Sequence, residues 1–121
     1  MMNKRKKTLV GKLEQKCEKA WSAAVLKRDP ICRLCNQAKS VHPHHIVLRA
    51  QSLATKFDLD NGAGVCEACH RQSHLSPAAQ TAAAYNLIGE RDYLAMVERS
   101  REVIYSAGPT WFEAKLKEIK L

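Results

Sequence analysis

Two stretches decide how the chain folds: Cys32-Arg33-Leu34-Cys35 and Cys66-Glu67-Ala68-Cys69-His70-Arg71-Gln72-Ser73-His74. Each holds a Cys-x-x-Cys pair, and the two intervening residues form a tight knuckle that points both sulfurs at one ion. Two knuckles complete a tetrahedral four-cysteine shell, the one preferred by structural Zn²⁺. A redox role would call for a single pair in a βαβ setting. The fifth cysteine, Cys17, falls on an apolar helical stripe and reads as a small buried hydrophobe outside this shell.

Thirty residues separate Cys35 from Cys66, where zinc ribbons commonly leave about 15–20. The insertion therefore needs a use of its own. It carries His44-His45 and Asn61-Gly62, and His70 and His74 follow directly on the second pair. Four residues apart on a helix, His70 and His74 share one face and offer two nitrogens to one metal. Cys69 adjoins His70, so the knuckle pins the start of that helix. Adjacent residues of an extended segment point to opposite sides, so of His44 and His45 one can face a metal and the other a substrate. Neutral imidazole is available as a base near pH 7. A metal with three histidine ligands keeps positions open for a phosphate oxygen and a water.

The series Cys32-x-x-Cys35, His44-His45-Ile46, Asn61, Cys66-x-x-Cys69-His70 and His74 closely resembles the HNH endonucleases in their zinc-knuckle form. The resemblance covers about residues 31–75. It implies a ββα-metal core, a hairpin, loop and helix around one divalent ion, within an α+β and mostly helical chain. It further implies that His45 is the general base and that Asn61 braces the loop holding it. His44, His70 and His74 correspond to the ligands of the catalytic ion, and Cys32, Cys35, Cys66 and Cys69 to those of the structural zinc. The implied reaction is metal-dependent hydrolysis of DNA phosphodiester bonds, by nicking or double-strand cleavage. An all-histidine triad is softer than one with Asp, which places Zn²⁺, Ni²⁺ and Mn²⁺ beside Mg²⁺ as the catalytic ion. The reading of another class is a non-catalytic zinc-dependent nucleic-acid-binding module, which has no use for these histidines and Asn61 together. His42 matches no family position and reads either as a phosphate contact or, the preferred reading, as a polar residue on the hairpin. Arg49 and Arg71 could clamp a phosphate or be plain surface charge.

Outward from this middle, residues 8–28 read as an amphipathic helix with Leu9, Leu13, Cys17, Ala20, Trp21 and Ala24 on one stripe, ended by Asp29-Pro30. Ile46-Val47-Leu48 suits one strand of a hairpin, residues 51–65 read as loop, and 67–75 as a short helix. Ser76-Pro77 opens a helix to Ile88, Gly89 interrupts, and a further helix covers 90–106. Gly108-Pro109 ends it, and Thr110 with Glu113 reads as a capping box for a last helix. The organisation expected is a basic N-terminal arm and helix (1–30), the metal core (31–75) and a C-terminal helical extension (76–121), together one compact domain. The extension suggests self-association or a protein partner.

Of a net charge of +8 over 121 residues, residues 1–28 supply +7, from nine Lys/Arg and two Glu. A basic arm on a nearly neutral body suits a polyanion, because each Lys or Arg that meets a phosphate releases counterions. DNA is the expected partner, and RNA offers the same phosphates. No apolar run approaches the ~18 residues of a membrane span. The basic start has no apolar stretch behind it, so a secretory signal is not expected. A reducing cytoplasmic location follows, with a bacterial or phage origin implied by the resemblance alone.

Overall fold

The computed structural model describes residues 8–48, 53–104 and 107–120. Helix α1 (Leu9–Arg28) starts where the Thr8 hydroxyl accepts the Gly11 N–H at 3.0 Å. Its stripe of Leu13, Cys17, Trp21 and Val25 recurs every four residues and is buried. Cys17 is fully buried and its thiol donates to the Phe112 carbonyl, which bears out its reading as a core residue. The helix ends at Asp29, as the following proline requires.

The chain then forms the first knuckle and enters β1 (His42–His45), which pairs antiparallel with β2 (Gly62–Val65). In register, His42 faces Val65, Pro43 faces Gly64, His44 faces Ala63 and His45 faces Gly62. Two expectations are corrected here. The strand is not Ile46-Val47-Leu48 but the four residues before it, and Ile46 and Val47 are buried in the bend that follows. Nor is 51–65 all loop: its described part holds a one-turn helix α2 (Leu53–Lys56), a 3₁₀ turn (Leu59–Asn61) and the whole of β2.

The glycines of β2 make room for close packing. A Cβ at Gly62 would lie 2.6 Å from both Trp21 Cζ2 and Val25 Cγ2, and one at Gly64 would lie 2.7 Å from the Asp29 carbonyl oxygen. The end of α1 is clamped to β2 at the same place. The buried Asp29 carboxylate accepts the Gly64 N–H and two bonds from the Arg28 guanidinium, which also donates to the Gly62 carbonyl. Burial alone would push the Asp29 pKa up, but these donors and Arg33 bring it below its ordinary value.

Helix α3 (Glu67–Ser73) is capped by Cys66, and His74 is the residue at its C-terminal end. Helix α4 (Pro77–Ser100) has Ser76 as N-cap and Pro77 in its first turn, as expected. Gly89 interrupts it at φ +83°, but the second half stops at Ser100 and does not reach 106. Helix α5 (Pro109–Lys120) begins before Thr110, so Thr110 lies inside the first turn and cannot be the N-cap of a box with Glu113. The apolar side of α5, Phe112 and Ile119, packs with Leu13, Cys17, Trp21, Val25 and Phe57. A second core joins the sheet and knuckles to α4 through Ile46, Val65, Ala84 and Leu87. The chain is thus mostly helical around a small two-stranded sheet. No described helix is long and apolar enough to cross a membrane.

Candidate metal centres and active site

The four knuckle cysteines converge, with their sulfurs all within 4.8 Å of one another. Cys35 Sγ and Cys66 Sγ lie 4.0 Å apart, against about 3.8 Å for two sulfurs on a tetrahedral zinc with ~2.3 Å bonds. In each knuckle the N–H of the second cysteine turns toward the sulfur of the first, at 3.5 Å. Burial pushes the Cys32 thiol up, but backbone N–H groups of Cys35, Cys66 and Leu34 prevail and bring it to about 6. Burial and the neighbouring thiols push Cys69 up to about 12. Four thiolates cannot crowd together without a cation, and this cluster could hold a metal such as zinc.

The second cluster lies along the same helix. His70 and His74 project from one side of α3 and its C-terminal end, with Nε2 atoms 3.2 Å apart. His44 reaches them from β1, and one ring nitrogen of each of the three lies within 4.8 Å of the others. Two nitrogens on one ion with ~2.0–2.1 Å bonds sit about 3.0–3.4 Å apart. His44 is 2% exposed, and its Nε2 is buried with no hydrogen-bond partner among the described residues. Burial, then the charges of His70, His74 and His45, lower its pKa to about 4. His70 is lowered as well, by burial first and then by His42 and His74. Three imidazoles brought this close, one of them with an orphaned nitrogen, are a donor set that one divalent ion could accept.

His45 points away from that trio, as the alternation along a strand demands, yet lines the same cavity of about 420 Å³ with His44, His70 and His74. Its Nε2 lies 2.9 Å from the Lys56 carbonyl. A carbonyl only accepts, so Nε2 carries a proton and donates it to that bond. Its ring lies flat on that of Trp21. Asn61 is fully buried: its Oδ1 accepts the Val47 N–H at 2.7 Å, and its Nδ2 donates to the Val47 and Thr55 carbonyls. It ties the bend after His45 to the segment that supplies the Lys56 carbonyl.

Sequence reasoning assigned no part in this site to two residues that belong to it. His42 stacks on His70 with ring centres 4.4 Å apart and pairs with Glu67, so it is more than a polar hairpin residue. Trp21 arrives from α1, outside the motif. Arg71 is exposed and pairs with Glu67 at 3.3 Å, while Arg49 and the basic residues 4–7 lie outside the described residues. A larger cavity, of about 640 Å³, lies elsewhere. There Arg28, Arg33 and Arg99 are offset by Asp29, Asp60 and Asp92, and no thiol or imidazole converges. No family model matches the chain, and no curated protein or solved structure matches it either.

Proposed function

We propose that the chain is a metal-dependent endonuclease that hydrolyses DNA phosphodiester bonds, with β1, β2 and α3 as a ββα-metal core of the HNH kind. The observation that carries this reading is the pairing of a buried His44, one ring nitrogen of which lies within 4.8 Å of those of His70 and His74, with a differently held His45 on the same cavity. A metal-binding module without chemistry has no need of the second histidine. His44, His70 and His74 would hold the catalytic ion, and Cys32, Cys35, Cys66 and Cys69 a structural zinc. The catalytic ion, Mg²⁺, Mn²⁺, Ni²⁺ or Zn²⁺, supplies Lewis-acid stabilisation of charge on the phosphate and the departing 3′ oxygen.

The chain's own groups do the rest. His45 Nδ1 takes a proton from the water that attacks in line, while its Nε2–H stays on the Lys56 carbonyl. Asn61 keeps that carbonyl and the His45 backbone in fixed relation. The apolar walls of the cavity, Trp21, Phe57 and Leu48, exclude bulk water from one side. The products expected are 5′-phosphate and 3′-hydroxyl ends.

Incubation of the purified protein with supercoiled plasmid and each of the four ions tests the reading. Wild-type protein should nick or linearise the plasmid. His45→Ala should lower the rate on the order of 10²–10⁴-fold while zinc content and DNA retention stay unchanged. Cleavage at full rate by that variant removes His45 as the base. Retention of DNA by wild type with no cutting under any ion leaves only the zinc-dependent binding module. A labelled RNA in parallel decides between the two nucleic acids.

A further inference from the structure

We propose that Trp21 is a positioning residue for His45: the indole and the Lys56 carbonyl together hold the imidazole in one plane and one tautomer. This rests on the reading of His45 as the general base and adds to it a residue from α1, eleven positions before the first knuckle begins.

The two rings lie 4.0 Å apart between centres and within 13° of parallel. A hydrogen bond from Nε2 fixes where one edge of the imidazole points but lets the ring swing about that bond. A flat stack removes the swing. The indole is itself immobile. It is 2% exposed, packed among Leu13, Cys17, Val25 and Phe57, and tied by its Nε1–H to the Asp58 carbonyl at 2.8 Å. Space for it comes from Gly62, the strand partner of His45, where a Cβ would come within 2.6 Å of the indole. A residue serving only as core filler would turn its face to apolar side chains. Trp21 instead gives one face to a half-buried imidazole that lines the histidine cavity.

Proton NMR of the zinc-loaded protein provides the first test. Ring protons of His45, assigned by their loss in His45→Ala, should appear shifted upfield by the indole ring current in the wild type. Trp21→Phe keeps an aromatic ring there and should retain a weaker shift and most of the cleavage rate. Trp21→Leu should lose the shift and lower kcat on the order of 10²-fold, the cost of a misplaced reacting group, with KM and zinc content unchanged. A wild-type spectrum without the shift overturns the proposal, even if Trp21→Leu proves unable to fold. So does a Trp21→Leu protein that cuts as fast as Trp21→Phe. If the wild type cuts no nucleic acid, the endonuclease reading fails on its own, and the His45 shift still decides whether the indole holds the ring.

Discussion

Helix α3 carries two clusters of ligand-type side chains, and they differ in nearly every physical respect. Cys66 and Cys69 sit at its start, in a closed group of four sulfurs, two of which, those of Cys32 and Cys66, receive backbone N–H groups. His70 and His74 follow within the next turn, in an open group of three imidazoles that borders a cavity. A closed tetrahedral shell suits a metal that only holds structure, whereas three ligands leave room for a reacting molecule. The contrast teaches that one short helix can be both anchor and working surface. Its first turn is fixed by sulfur, so its second can present nitrogens with little freedom of their own.

The largest effect should come from the sulfur end. Cys66→Ser, or a strong chelator, should unfold the segment from Cys32 to Ser73, because binding at such a site is itself folding free energy, about 10–16 kcal/mol in zinc-finger peptides. Circular dichroism and limited proteolysis would show loss of α3 and the sheet. Retention of both without metal would erase the division of labour between the centres.

A smaller effect should appear at the imidazole end as a pH dependence. The folded pKa of His44, about 4, lies below its ordinary 6.5, owing to burial and then to the neighbouring histidines. The unfolded chain therefore takes up a proton that the native chain refuses. Stability from this source is complete above about pH 6.5 and is lost as pH falls toward about 4, by up to ~3 kcal/mol. Urea titrations of protein with zinc in the sulfur centre alone should show the loss, and His44→Asn should flatten it. Equal slopes in the two proteins would mean that the burial of His44 does not govern its protonation.

The smallest effect concerns His42. Stacked on His70 and paired with Glu67, it supports a ligand from outside the ligand set. His42→Ala should weaken metal binding at the imidazole centre by about tenfold, the lower range for loss of such support, and leave the sulfur centre unchanged. Calorimetric titration of the second ion checks this, and an unaltered affinity would return His42 to the status of an ordinary hairpin residue.

Much of this layout is legible in the residues themselves. Cysteine spacing announces the knuckles, and the i, i+4 histidines need only a helix to share a side. The Ser76-Pro77 start is a local signal that holds, and the α1 stripe holds at Leu13, Cys17 and Trp21, while Leu9 is exposed and Val25, absent from the expected stripe, is buried. The sheet was harder to read, because His-Pro-His-His and Gly-Ala-Gly-Val have little strand character. Their pairing is fixed by surroundings that a local pattern does not contain: Trp21 and Val25 press on Gly62, and Asp29 grips Gly64. Ile46-Val47 is apolar because it is buried in the bend, not because it is a strand. Trp21 and His42 escaped notice for a related reason. An indole on a helical stripe looks like core, and only the fold shows that its other neighbour is His45.

Asp58 gathers what surrounds the core. Its carbonyl receives the Trp21 indole of α1, while its carboxylate receives Arg99 of α4 and Lys115 of α5. Three helices from opposite ends of the chain thus meet on a single residue, two positions beyond the carbonyl that holds His45. The C-terminal half is for this reason a brace for the segment that holds His45 and no mere appendage. A fragment trimmed to residues 31–75 would keep the four cysteines and the three histidines and yet surrender the scaffold that steadies His45.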